Sequence, residues 1–380
     1  MALDAGSLVF VAYPPTDPLG TPSGTLTEAY DKTVTVEDNG VGGGRFQINA
    51  NSSQADWCEP GAYVLVYRDT VTTPADAIAG FWIEEHSEVL LSPDEEGGQV
   101  IAVGGRGSIA YLTEAVVWHR AVSGSRAACQ PARRRWHWKD AHPARVLVRM
   151  LEEGRARNAL GGVTWDFTRL RDSDGDLFTE DKADRINIPI GVNYLELVDI
   201  MRDTLLHVRM SPDLVLHDWD NYDNDLSASV GFTAGTDIQD TVTRSRKARR
   251  ARSHILIERE NRKGRVRHQV VWDTDIRAEL ERRKEGFFRF ERTARRRVIR
   301  RVGRRKLRNW KREWDGAFAL KIIDTTDQVA LVDYTVGDTV DVHVPPHYDH
   351  EALRVKAITL TENDDGTYDP TIEFGAFVNG

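Results

Sequence analysis

Tyr334-Thr-Val-Gly-Asp-Thr-Val-Asp-Val-His-Val344 is the stretch whose reading decides the fold. A Gly337-Asp338 turn leads into valines at alternate positions, the pattern of a half-buried strand. Pro345-Pro346 breaks the run. Leu353-Arg-Val-Lys-Ala-Ile-Thr-Leu360 then resumes it, with one slip of register between Val355 and Ile358. Asn363-Asp-Asp-Gly366 reads as a tight hairpin, because glycine tolerates the positive φ such turns need. A related progression lies near the N-terminus: Gly44-Arg-Phe-Gln-Ile-Asn49, Gly61-Ala-Tyr-Val-Leu-Val-Tyr67, Ile78-Ala-Gly-Phe-Trp-Ile-Glu84 and Gln99-Val-Ile-Ala-Val-Gly-Gly-Arg-Gly107. Two distant parts of the chain each read as a small antiparallel barrel.

In order and spacing these segments resemble the hub proteins of phage tails and baseplates, in particular minor tail proteins of long-tailed phages of actinobacteria. The resemblance runs thinly over most of the 380 residues. It implies a homotrimer in which each chain contributes two barrels to a pseudo-sixfold ring. Such a ring would join a sixfold tail tube to a threefold tip and surround the channel for DNA and the tape-measure protein. The implied partners are a tail tube or distal tail protein, the tape-measure protein and downstream tail-tip proteins. DNA passes only in transit, and no stable membrane association is expected. The implied location is the virion tail tip, after synthesis in a host cytoplasm.

The expected class is β-rich α+β, two small antiparallel barrels with an inserted helical or mixed domain. At 380 residues, two to four domains are expected. Residues 1–112 form the first barrel, with short strands at intervals of about ten residues. Residues 113–227 form the mixed domain. It has an amphipathic helix over 144–151, extending toward Leu160, and a second helix over 193–206. Pro212-Asp213 then turns a small hairpin. Residues 228–272 and 316–380 form the second barrel. Residues 273–315 form a basic helical excursion, on spacings near three, four, seven or eight among Phe287, Ala294, Val298, Val302, Trp310 and Trp314.

Composition narrows the function. No run of eighteen apolar residues suggests a membrane span, and the first residues lack the pattern of a signal peptide. Cys58 and Cys129 are the only cysteines and are read as free thiols. Arg outnumbers Lys 41 to 10, as a GC-rich genome produces. Residues 244–312 hold 28 Lys and Arg against 8 Asp and Glu, a balance of +20. The remaining chain holds 23 against 51, a balance of −28. Such asymmetry points to a charged partner, either nucleic acid or an acidic surface of the same assembly. Arg295, Arg296, Arg297, Arg300, Arg301, Arg304, Arg305 and Arg308 are the candidate interface.

No catalytic residue is nominated. The chain has no Gly-x-Ser-x-Gly elbow, His-Glu-x-x-His or Walker loop. Gly40-Val-Gly-Gly-Gly44 has no following Lys-Ser/Thr and reads as a hairpin loop, not a phosphate cradle. Asp172, Asp174 and Asp176 are the candidate cation ligands. The glycine and the twelfth position, Ala183, depart from an EF-hand, so a solvated acidic loop is the reading. His119, Cys129, His137 and His142 lack clean zinc spacing and read as a surface loop. No cofactor is expected. The rival functions are a DNA-binding protein acting through 244–312 and a carbohydrate-binding tail module.

Overall fold

The computed structural model describes the chain except for residues 1–6, 39, 91–98, 118–134, 179–182, 190, 203–205, 220–223, 239–251, 261–265, 280–282, 291–298, 301, 305, 308–317, 326–327, 346–347 and 377–380. The N-terminal strands are β1 (Leu8–Tyr13), β2 (Gly24–Thr25), β3 (Tyr30–Glu37), β4 (Gly43–Asn49), β5 (Tyr63–Arg68), β6 (Ala79–Leu90) and β7 (Gln99–Gly107). The middle of the chain holds β8 (Arg135–Ala141), α1 (Pro143–Arg155), β9 (Thr164–Trp165), β10 (Ala183–Pro189), α2 (Tyr194–Arg202), β11 (His207–Met210) and β12 (Val215–Trp219). Then come β13 (Gly231–Thr233), β14 (His254–Glu260), β15 (Val266–Trp272), α3 (Thr274–Glu279) and β16 (Glu285–Phe290). The last four are β17 (Phe318–Lys321), β18 (Thr339–Val344), β19 (Tyr348–Glu362) and β20 (Tyr368–Ala376). The protein is β-rich, with few helices.

One 12-stranded sheet holds both ends of the chain, in the order β13-β18-β19-β3-β4-β7-β6-β5-β1-β2, with β20 on β19 and β17 on β20. The two terminal regions meet where β19 pairs antiparallel with β3, Ala357 opposite Glu37 through Thr361 opposite Thr33. Side chains reinforce that seam. Lys32 pairs with Glu362 at 2.7 Å, and the Thr35 and Thr359 hydroxyls lie 3.0 Å apart. The register slip read between Val355 and Ile358 is a bulge between Val355 and Ala357 against β20. The Asn363–Gly366 turn closes with the Thr367 carbonyl accepting from the Asn363 N–H at 2.7 Å.

Strands β1 and β5 are buried on both faces, which explains their unbroken apolar runs. Phe10, Ala12, Val64 and Val66 face a core shared with Phe232, Val340, Ile358 and Phe374. Val11, Tyr13, Tyr63 and Leu65 face a second core with Leu147, Leu151, Leu197 and Met201 of α1 and α2. The buried Tyr63 hydroxyl donates to the Pro212 carbonyl at 2.6 Å, tying β5 to the turn before β12. That turn and hairpin follow the sequence reading: Met210 pairs with Leu216 and His207 with Trp219. Phe10, Phe46 and Phe81 pack edge to face at 5.7–6.5 Å, each pair adding about 0.5–1.5 kcal/mol to simple burial. The two glycines that open β4 are steric in origin. A Cβ at Gly44 would stand 2.4 Å from the Phe81 ring, and one at Gly43 would stand 2.4 Å from the Gly105 carbonyl.

One expectation is corrected. The strands over 254–272, expected in the second barrel, lie outside the 12-stranded sheet that holds the strands of 316–380. β14 pairs with β15 antiparallel and with β16 parallel, in a separate three-stranded sheet. Phe287 therefore lies on a strand, not on the basic helix. Phe287, Phe288 and Phe290 are short-range apolar residues that suit either period, and tertiary pairing decided between them. Among the described residues, no helix is long and apolar enough to cross a membrane.

Candidate assembly interface

The basic segment is built around the three-stranded sheet. Ile255 and Ile257 of β14, with Val271 of β15, face one side. They pack against Ile276 of α3 and against Ile299 and Leu307, both of which stand on helical backbone. The packing stripe is thus Ile299, Gly303 and Leu307, at i, i+4 and i+8. The spacing of Val298, Val302 and Trp310 had suggested a different face. Val302 is only half-buried, while Val298 and Trp310 lie outside the described residues. Gly303 lets the helix close onto the sheet, since a Cβ there would sit 2.8 Å from Ile257 and Val271.

Of the nominated arginines, Arg300 and Arg304 are exposed on this helical stretch. Arg295, Arg296, Arg297, Arg301, Arg305 and Arg308 lie outside the described residues. Lys306 holds its ammonium 5.0 Å from the Phe288 ring centre.

The other side of the same sheet is apolar and exposed, which sequence reasoning missed. Leu256 stands between Val270 and Phe287 across three strands, with Trp272 one pair along. Trp272 is 57% exposed and Phe287 55%. Glu258 borders the patch, accepting from Arg289 at 2.8 Å and contacting His268 at 3.2 Å. The signal was present in His254-Ile-Leu-Ile257 and Val270-Val-Trp272, since apolar residues without alternation imply a strand with something on both faces.

A buried ion cluster ties three parts of the chain together. The Asp38 carboxylate is 1% exposed and accepts from Arg354 Nε at 3.0 Å and Lys356 Nζ at 2.9 Å. His207 Nε2 of β11 stands 3.4 Å away. Burial alone would raise this acid, but Lys356, His207 and Arg354 outweigh it and hold its pKa down to about 2.

The candidate cation ligands serve a loop. Asp172 Oδ1 accepts from the backbone of Asp174 at 3.1 Å and of Asp176 at 2.8 Å, while the Asp174 and Asp176 side chains are exposed. His142 caps α1, its ring accepting from the Ala144 N–H at 3.3 Å and stacking on Phe178. His119, Cys129 and the His137 side chain lie outside the described residues. Cys58 is a buried free thiol whose pKa is pushed up to about 12 by burial.

No family model matches the sequence, and no curated protein matches it either. Solved structures do match, end to end. The 43 kDa tail protein of prophage MuSo2 from Shewanella oneidensis superposes with a TM-score of 0.65 at 12% identity, over 97% of this chain and 98% of that one. A tail protein from Neisseria meningitidis MC58 gives 0.63 at 9% identity, over 97% and 96%. Prophage tail protein gp18 from Listeria monocytogenes EGD-e gives 0.57 at 12%, over 98% and 95%. The chain has the fold of a phage tail protein. At these identities the likeness establishes the overall architecture.

Proposed function

We propose that the chain is a structural, non-enzymatic component of a phage virion, the hub of a tail tip. The observation that carries this reading is the end-to-end correspondence with prophage tail proteins, with 95% or more of every chain covered. In this reading the strands over 1–112 and those of 228–238 and 316–380 form two barrels fused along the β3–β19 seam. Three copies make a pseudo-sixfold ring between the sixfold tail tube and the threefold tip. The ring surrounds the channel for the tape-measure protein and DNA, and joins a distal tail or tube protein above to tip proteins below. Residues 113–227 pack onto the barrels through the core they share with β1 and β5, and the sheet over 254–290, with its basic helix, is a further unit attached to them.

The basic cluster meets acidic protein surface, not the DNA path. Phosphates held by a dense arginine array would have to be released for a genome to pass, and affinity resting on many such contacts falls steeply with salt. Against carboxylates in a partly desolvated interface, the same arginines make charge-assisted hydrogen bonds of roughly 1.5–3 kcal/mol each. The exposed Trp272 and Phe287 on the opposite face of the same sheet suit a further contact with a neighbouring copy, while the −28 remainder of the chain supplies acid for its +20 segment. Replacing Arg296, Arg300 and Arg304 together by Glu tests this. The isolated chain should keep its circular dichroism and melting temperature while tails fail to assemble. Tails that assemble normally but fail to eject DNA would place these arginines in the conduit.

A further inference from the structure

We infer that the β18–β19 hairpin carries a divalent transition-metal site formed by His343, Asp349 and His350. Among the described residues this is the one group of three His, Cys, Asp or Glu side chains whose ligand atoms lie within 4.8 Å of one another.

A bulge builds the site. Val342 pairs with Glu351 and Val344 with Tyr348, so His343 alone stands opposite both Asp349 and His350. In a regular strand Asp349 and His350 would point to opposite faces; a two-against-one bulge re-aims one of them. His350 holds the left-handed backbone this requires, at φ 53°, a conformation a non-glycine residue rarely adopts. The result brings His343 Nδ1 within 3.3 Å of Asp349 Oδ1 and stacks the two imidazoles at 4.3 Å between ring centres. In a tetrahedral zinc site, bonds of about 2.0–2.1 Å put neighbouring donors roughly 3.3 Å apart.

Two further features fit a metal better than a plain ion pair. His343 Nδ1 is buried and makes no hydrogen bond, its contact with Asp349 being close but poorly aligned. Asp341 lies two residues before His343 on the same face of β18, and its Oδ2 stands 2.8 Å from His350 Nδ1. A carboxylate on one ring nitrogen fixes the tautomer and leaves Nε2 for a metal, the usual outer-shell arrangement around a ligating histidine. Asp349 is 91% exposed and His350 66%, so both can turn to close on an ion while the half-buried His343 anchors it. Two imidazoles and one carboxylate select zinc or a similar first-row ion over calcium or magnesium, which take all-oxygen sets. A fourth position stays open to water or to a ligand from a neighbouring subunit. Bound there, the ion would clamp the turn end of this hairpin of the large sheet. His347 lies outside the described residues.

The test uses the full chain, tag-free and stripped with chelator, titrated calorimetrically with Zn²⁺ and by absorbance with Co²⁺. One equivalent of Zn²⁺ should bind with micromolar or tighter affinity, and Co²⁺ should give the intense visible bands of a tetrahedral site. Separate His343→Ala and His350→Ala variants should each bind at least 100-fold more weakly. Asp341→Asn should weaken binding about 10–100-fold while leaving the stoichiometry at one. Because His350 is exposed, its variant keeps the fold even if the His343 variant does not. Absence of stoichiometric binding by the wild-type chain, or undiminished binding by the His350→Ala chain, would overturn the assignment.

Discussion

Asp38 shows how one side chain organises residues far apart in sequence. Its carboxylate sits just beyond β3 and gathers Arg354 and Lys356 of β19 and His207 of β11. Removing it would take from Arg354 and Lys356 the buried carboxylate they share. Asp38→Ala should therefore destabilise the protein by about 3–5 kcal/mol in urea unfolding. The pH dependence has a definite sign. An acid held near 2 when folded and near 3.8 when unfolded contributes its stability in full above about pH 4. That contribution, about 2 kcal/mol, is lost as pH falls from about 4 to about 2. The wild-type chain should lose this increment across that window, and Asp38→Asn should lack it; parallel curves would refute the role. None of this was legible in the sequence, because an aspartate after a strand carries no mark of partners 169 to 318 residues away. Gly337-Asp338 and Gly366 were legible, because their roles are local backbone conformations.

The three-stranded sheet and its helix show where element-level reading succeeds and fails. The helix between 299 and 307 was read from apolar spacing, yet its docking face was not. That face uses a glycine, which a search for apolar residues passes over. Gly303→Val places branched carbon where 2.8 Å separates a Cβ from Ile257 and Val271. It should cost about 1–3 kcal/mol by overpacking, and hydrogen exchange should show the loss in β14 and β15 with β3 and β19 still protected. Uniform deprotection of all four strands would mean that this unit is not separately stabilised. The strand over 285–290 was misread because three phenylalanines in six residues fit a helix or a strand equally well. The helix of α1 and the hairpin of β11 and β12 were read correctly, because each carries its own period and turn.

Over the whole molecule, the order of Gly-bounded strand motifs pointed to the tail-protein fold that solved structures share. Their joining was not legible. β3 and β19 pair across more than 300 residues, and each strand alone satisfies the same alternation it would show in a separate barrel. The cores make the point physically: Phe10 and Phe46 pack in one cluster with Val340 and Phe374, so the chain's two ends stabilise each other. The most direct test of this account is a cryo-electron reconstruction of the intact tail, with the copies of this chain counted at its level. Three copies around the axis, their two barrels alternating in a sixfold-like ring, are the predicted result. Six copies or a single copy at that position would contradict the account.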